Sequence, residues 1–225
     1  MKKKKVLICV AHRDDETIGC GGTISKHVAN GDRVYCFSLT DGVSARINKK
    51  TNDEKIRLKN SIDASEILGF KWIDLIEQFE DNEMDKVSLL SVIKVIEKVK
   101  KKINPDIVYT HFDGDLNIDH RIVSQAVLTA FRPIKGEKVE KILFFEVLSA
   151  TDYSSKNFIP NYFNKIDKYW KKKDKALKAY GDEIIKTKTS RSLEGVENLA
   201  RYRGNFCGYR YAEAFKLIRE INKND

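Results

Sequence analysis

The stretch Cys9-Val-Ala-His-Arg-Asp-Asp-Glu-Thr-Ile-Gly-Cys-Gly-Gly-Thr23 decides the fold, because two periodicities meet in it. Before it runs an unbroken apolar segment, Val6 to Val10, the pattern of a strand buried on both faces. After it the chain reads as a helix over Glu16–Asn30, stopped by Gly31. At the junction stand a histidine and three successive acids, Asp14, Asp15 and Glu16. Like charges side by side repel and lose hydration where a buried strand ends. The turn therefore calls for something positive among them.

Outward from this turn, strands and helices alternate. Lys4–Val10 is a first strand and Arg33–Leu39 a second. Glu54–Leu68 is helical with a stop at Gly69, and Trp72–Ile76 is a third strand. Val87–Lys102 is an amphipathic helix ending before Pro105. Asp106–Thr110, helix Ile122–Ala130 and strand Lys141–Val147 follow. This alternation predicts an α/β fold, a doubly wound, mostly parallel sheet with helices on both faces. Past Asp152 the pattern weakens: Asp167–Tyr180 and Leu193–Arg203 read as helices, and Tyr211–Arg219 as a short strand or helix. With 225 residues the chain is expected to be one domain, 1–225, whose part from about 152 to 225 covers the sheet edge and helps wall a pocket.

Apolar residues make up 41% and charged residues 33%, as in soluble globular proteins. No apolar run approaches the ~18 residues of a membrane span. The basic start, Met1 to Lys5, imitates a signal peptide, but the apolar part is too short, so a cytoplasmic protein is expected. The net charge of +9 suits an anionic partner, or lysines on solvated helix faces such as Lys94, Lys98 and Lys101. The motifs of zinc fingers, RNA-recognition domains and helix-turn-helix proteins are missing, so nucleic acid is not an expected partner. Cys9, Cys20, Cys36 and Cys207 have neither metal-site nor disulfide spacing and read as buried free thiols.

Ligands of open α/β sheets bind at the carboxyl ends of strands where the strand order reverses. If the first and fourth strands flank that point, two loops face each other, Ala11–Glu16 and His111–His120. They hold three of the four histidines; His27 is expected on a helix surface. Two strand-end loops that each combine His with Asp point to a cation, and Zn²⁺ suits this donor set. His12 and Asp15, three apart on a turn, supply two ligands, and the third is His120 or His111. The Asp113–Asp119 run mimics a calcium loop, but Ile118 and Ser124 fill the places that need Gly and Glu. Gly19, Gly21 and Gly22 match no phosphate-binding pattern and read as close packing of helix on sheet.

Ala11-His-Arg-Asp-Asp-Glu16, the Gly21-Gly22 pair, and Asp119-His120 after the fourth strand together resemble the PIG-L/LmbE-like N-deacetylase family. The likeness extends to Asn104–His111, to Ile67-Leu-Gly69 and to Tyr211–Phe215. It implies a Rossmann-like fold and a zinc-dependent hydrolase, with Fe²⁺ as the alternative metal. The implied substrate is an N-acetylated sugar or sugar conjugate of the N-acetylglucosamine type, nucleotide- or lipid-linked where it is anionic. By motif position the metal ligands are His12, Asp15 and His120, and Asp14 is the general base acting on water at the metal. Asp119 would hold the His120 tautomer, or else cap a helix.

Two departures stand out. Arg13 replaces a proline and adds a cation near the pocket mouth. Asn117 stands where many members carry a histidine, so either Asp14 makes both proton transfers or His111 supplies the imidazole. Arg57, Asp81, Asn117 and Arg191 are the candidate substrate contacts, with Arg203 and Glu213 as further pocket candidates. The alternatives are a hydrolase of another N-acyl or carbamoyl compound, and a non-catalytic module that binds anions or nucleic acid.

Overall fold

A computed structural model describes residues 3–45, 52–76, 78–181, 184 and 189–222. β1 (Lys5–Val10) divides its side chains between two cores. Val6, Ile8 and Val10 join one apolar cluster, Leu7 and Cys9 the other, because successive residues of a strand face opposite ways. On the first face lie α1 (Asp15–Ala29), α2 (Asp53–Leu68), α5 (Trp170–Ala179) and α6 (Leu193–Phe206). On the second lie α3 (Leu89–Ile103) and α4 (Ile118–Ala130). The other strands are β2 (Arg33–Ser38), β3 (Lys71–Trp72), β4 (Ile107–His111), β5 (Lys141–Phe145), β6 (Tyr162–Lys165) and β7 (Ala212–Glu220).

The sheet order is β3-β2-β1-β4-β5-β7-β6. The first five strands run parallel, and β7 lies antiparallel to both β5 and β6. The order reverses between β1 and β4, which pair as Val6 with Ile107 through Ile8 with Tyr109. The two histidine-bearing loops thus leave adjacent carboxyl ends, which meets the condition under which they face each other.

Several elements differ from their sequence reading. β3 is two residues long rather than five. After Ile73 the chain turns outward, leaves Ile76 fully exposed, and meets the sheet again at Phe79, bridged to Thr40. α4 starts four residues earlier than expected, because the Asn117 side chain accepts from the Asp119 and His120 N–H groups and caps it. His120 therefore stands in a helical first turn. β6 was not foreseen, and the open choice at the C-terminal end resolves as a strand, β7. Of the basic start, Met1 and Lys2 lie outside the described residues.

α1 breaks at Cys20 (φ −146°, ψ 22°). The N–H groups of Gly22 and Thr23 donate to the Glu213 carboxylate at 2.9 and 2.6 Å, and the Ile18 carbonyl accepts from Lys173 Nζ at 2.8 Å. Glu213 and Lys173 pair at 2.6 Å, both buried, so the break is satisfied from the C-terminal part. A Cβ on Gly19 would fall 2.4 Å from Phe145 Cδ2, and one on Gly22 2.7 Å from Ile166 Cδ1. These glycines serve close packing, as read from the sequence.

Candidate metal centre

The β1–α1 turn places three polar atoms at one point. His12 Nδ1 lies 3.2 Å from His120 Nε2, and each is 3.3 Å from Asp15 Oδ2. The three form a nearly equilateral triangle. Donors around a tetrahedral zinc with bonds of ~2.0 Å are separated by about 3.3 Å, so these residues fit such an ion. Asp15 Oδ1 is buried with no hydrogen-bond partner among the described residues, a further sign that this carboxylate serves something other than protein donors. His111 lies outside this triangle, with Nε2 3.5 Å from Asp15 Oδ2. Its Nε2 accepts from the Ala11 N–H at 2.8 Å and its ring stacks behind His120, 3.9 Å between centroids, outside the cleft.

The outer contacts set the two tautomers. His12 Nε2 faces Asp81 Oδ1 at 3.0 Å and Asp119 Oδ2 at 3.2 Å, which leaves Nδ1 for a metal. Asp119 is itself fixed by the N–H groups of Asn82 (2.7 Å) and Met84 (3.2 Å). The expected Asp119–His120 pairing is therefore corrected: Asp119 backs His12. The acid beside His120 is Asp115, whose Oδ2 lies 3.3 Å from Nδ1, an ion-pair contact rather than an aligned hydrogen bond. Nor does Asp119 cap α4, since Asn117 does.

Charge balance in the centre follows from this crowding. Burial alone would depress the His12 imidazole, but Asp119, Asp15 and Asp81 outweigh it and hold the pKa well above the usual histidine value. Burial would raise Asp15, but His120 and His12 pull it well below the usual carboxylate range. His111 goes the other way, depressed by burial and then by His120. The site collects negative charge around two imidazoles, as a cation site requires.

Asp14 is buried beside this triangle in a left-handed conformation, φ 137°, which a non-glycine residue adopts only under constraint. The constraint is Glu16, whose Oε2 accepts the Asp14 N–H at 3.0 Å while its Oε1 accepts from Tyr180 Oη and Thr17 Oγ1, both at 2.6 Å. Burial raises Glu16 to about 7. Asp14 Oδ2 accepts from Arg191 Nη2 at 2.6 Å, and Arg57 Nη2 lies 3.4 Å from Oδ1.

A cleft of about 340 Å³ opens on the triangle. Its wall includes Arg57, Asp81, Asn117 and Arg191, four residues expected at the substrate. Asn117 donates to Asn82 Oδ1 at 2.9 Å, and its oxygen is committed to the α4 cap. Other expectations are corrected. Arg203 pairs with Glu146, and Glu213 fills the α1 break; neither lines this cleft. Arg13 stacks on Trp72 (4.4 Å) and donates to Ser61, so it is not at the mouth. His27 is no free surface residue: it bridges Asp32 at 2.7 Å and Tyr109 Oη at 3.0 Å. Asp115, Asn82 and Tyr180 were missed. Asp115 had a signal, an acid between two histidines in one loop; Asn82 and Tyr180 arrive from remote elements and had none.

The chain is similar to known proteins over most of its length. Diacetylchitobiose deacetylase of Thermococcus kodakarensis is 28% identical over 97% of the chain and 84% of its own length. The uncharacterized deacetylase YaiS of Escherichia coli is 30% identical over 80% of the chain and 91% of its own length. The fold also matches the crystal structure of GalB, the 4-carboxy-2-hydroxymuconate hydratase of Pseudomonas putida, with a TM-score of 0.79 and 20% identity over 99% of both chains. The family model described as PIG-L, GlcNAc-PI de-N-acetylase, matches residues 7–131, which carry His12, Asp14, Asp15 and His120. A match that spans more than half of the chain shows that it belongs to the PIG-L family.

Proposed function

We propose that this protein is a metal-dependent hydrolase that removes the N-acetyl group from an N-acetylated sugar or sugar conjugate of the N-acetylglucosamine type. The observation that carries this is the triangle of His12, Asp15 and His120 atoms beside the buried Asp14, in a chain whose family is described by a de-N-acetylase. His12, Asp15 and His120 would hold the ion, with Zn²⁺ first by donor set and Fe²⁺ as the alternative. Such an ion, when bound, supplies Lewis acidity that brings the pKa of water towards ~7 and steadies negative charge on the acetyl oxygen.

The chain's own residues do the rest. Asp14 takes the proton of the attacking water and returns it to the departing amine, which must leave protonated. Both transfers fall to Asp14, because Asn117 has no proton to shuttle and His111 is turned away from the cleft. Asp119 and Asp81 keep His12 in the tautomer that presents Nδ1 to the ion, and the negative charge of Asp115 beside Nδ1 of His120 favours the proton on that nitrogen. Arg57 and Arg191 give the cleft a cationic wall that suits a nucleotide- or lipid-linked sugar. Among the described residues no helix is long and apolar enough to cross a membrane; we place the reaction in the cytoplasm.

The test is acetate release from a panel of N-acetylated sugars by zinc- and iron-loaded protein. Release from any member that is lost in Asp14→Asn supports the reading. No release from any N-acyl compound, with metal bound, overturns it. Salt-sensitive nucleic-acid binding that survives Asp14→Asn would instead favour a binding module, which has no use for a buried base.

A further inference from the structure

His12 and His120 are each backed by a buried acid, and each acid is held by both of its oxygens. Asp119 accepts from the N–H groups of Asn82 and Met84. Asp115 accepts the Asn117 N–H on Oδ1 at 3.0 Å and the Thr151 hydroxyl on Oδ2 at 2.7 Å. Of these four bonds, three come from the backbone and one from a side chain. Thr151 is itself buried, and its Oγ1 accepts the Val147 N–H at 2.8 Å, which leaves its single hydrogen for Asp115.

The hydroxyl reaches Asp115 from a tight turn after β5. The Thr151 N–H donates to the Val147 carbonyl at 2.8 Å. Within the turn Ser149 is left-handed, φ 68°, and its N–H donates to Asp152 Oδ1 at 2.6 Å. The Leu116 N–H donates to the Ala150 carbonyl at 3.3 Å, and the Ser154 hydroxyl to the Gly114 carbonyl, so the turn is tied to the loop that carries Asp115. Ser149 and Ala150 line the cleft, while Thr151 aims its hydroxyl at Asp115.

Resting on the reading of His12, Asp15 and His120 as metal ligands, we propose that Thr151 is a positioning residue for His120, acting through Asp115. Asp115 Oδ2 lies 3.3 Å from His120 Nδ1, a contact too loose to fix the carboxylate by itself. The terminal torsion of an aspartate is broad and roughly two-fold, so a carboxylate without further bonds turns its oxygens away from a neighbour at little cost. The Thr151 bond is short and charge-assisted, and it locks that torsion. With Oδ2 locked beside Nδ1, the His120 ring keeps Nε2 towards Asp15 Oδ2 and the shared point of the triangle. Fixing the ring of a ligating histidine in this way is what an outer partner supplies.

The test is zinc affinity, by competition with a chelator, in wild type, Thr151→Val, Thr151→Ser, Asp115→Asn and Thr151→Val/Asp115→Asn. Valine keeps the shape and removes the hydroxyl; serine keeps the hydroxyl. We expect Thr151→Val to weaken zinc binding about 10-fold, the lower end of what an outer partner contributes, and Thr151→Ser to restore most of it. Because the hydroxyl acts through Asp115, the double variant should match Asp115→Asn within about 2-fold. Losses that multiply in the double variant, or a Thr151→Val protein that binds zinc like wild type, overturn the role of Thr151 and leave the metal centre standing. A wild type that takes up no zinc overturns the metal reading and this role with it.

A second readout needs no metal. In the metal-free protein the imidazole nitrogen signals of His120 should move in Thr151→Val, and more than those of His12, and should stay in place in Thr151→Ser. Equal movement of both histidines that serine does not rescue is a general loosening of the fold and refutes the proposal. If Thr151→Val does not fold, Thr151→Cys takes its place: a thiol is a weak donor, so zinc should bind more weakly than in Thr151→Ser, and equal affinity overturns the proposal.

Discussion

His12 Nδ1 and His120 Nε2 stand 3.2 Å apart and share one oxygen of Asp15 at 3.3 Å. Three atoms that each carry a lone pair do not crowd in this way without a cation or a shared proton among them. We expect about one divalent ion per chain by elemental analysis of protein purified without a histidine tag. His120→Ala should lose it. Because the ion binds the folded chain and hardly the unfolded one, chelation should lower the melting temperature by several degrees, and zinc should restore it. A full metal complement in His120→Ala would mean that other residues hold the ion.

Asp14→Asn separates binding from turnover. The amide keeps the size of the carboxylate and one acceptor for Arg191, so fold and metal content should survive. Loss of a general base costs ~10²–10⁴-fold. We expect kcat to fall within that range with metal content unchanged; retained activity would remove Asp14 from the mechanism.

The acidic partners of His12 and His120 can be told apart. Asp119 touches His12, and Asp115 stands by His120. In the zinc-loaded protein, Asp119→Asn should perturb the imidazole nitrogen signals of His12 by NMR, and Asp115→Asn those of His120. Outer partners of this kind are worth ~10–100-fold in metal affinity, which competition with a chelator would measure. A perturbation of His120 alone in Asp119→Asn would restore the pairing expected from the sequence.

These residues also show how far the sequence could be read. His12 and Asp15 were legible because a local pattern carries them, an apolar strand that ends in charge, and a second such strand end offered His111 and His120 alike; the preference for His120 came only with the family resemblance. The parallel sheet was legible from the alternation of strands with helices. The direction of Asp119 was not, since it depends on the backbone N–H groups of Asn82 and Met84, which arrive after an irregular return from β3. The edge strand β6 was not, because four residues paired to β7 alone have too short a pattern. Asn117 was weighed against a histidine and not as a helix cap, so α4 was started four residues late.

His27 gives a prediction with a pH sign. It joins Asp32 to Tyr109, and burial, which outweighs the Asp32 carboxylate, lowers its pKa. A histidine depressed in the folded state contributes stability that is present above its unfolded value, ~6.5, and is lost as pH falls through the folded pKa. Urea unfolding of wild type should therefore weaken from pH 7 to pH 5 more than that of His27→Gln. At pH 7 His27→Ala should cost about 1–3 kcal/mol for the two lost bonds. Equal acid sensitivity of wild type and His27→Gln would show that other groups govern this window.

The break in α1 offers the sharpest test of how the C-terminal part supports the centre. Glu213→Ala would leave Lys173 as a buried charge without its carboxylate and would strip the Gly22 and Thr23 N–H groups of their acceptor. Removing one partner of a buried pair costs ~3–5 kcal/mol, whereas replacing both by apolar groups is often far less costly. We therefore expect Glu213→Ala to destabilise by about that amount in urea unfolding, and Glu213→Leu/Lys173→Met to recover much of it, but not all, because the two N–H groups remain unmet. Near-additive losses across the single and double variants would mean that the two charges stabilise the chain independently. The break begins five residues after Asp15, so the folded fraction of Glu213→Ala should bind metal more weakly than wild type, yet far better than His120→Ala, which loses a donor outright.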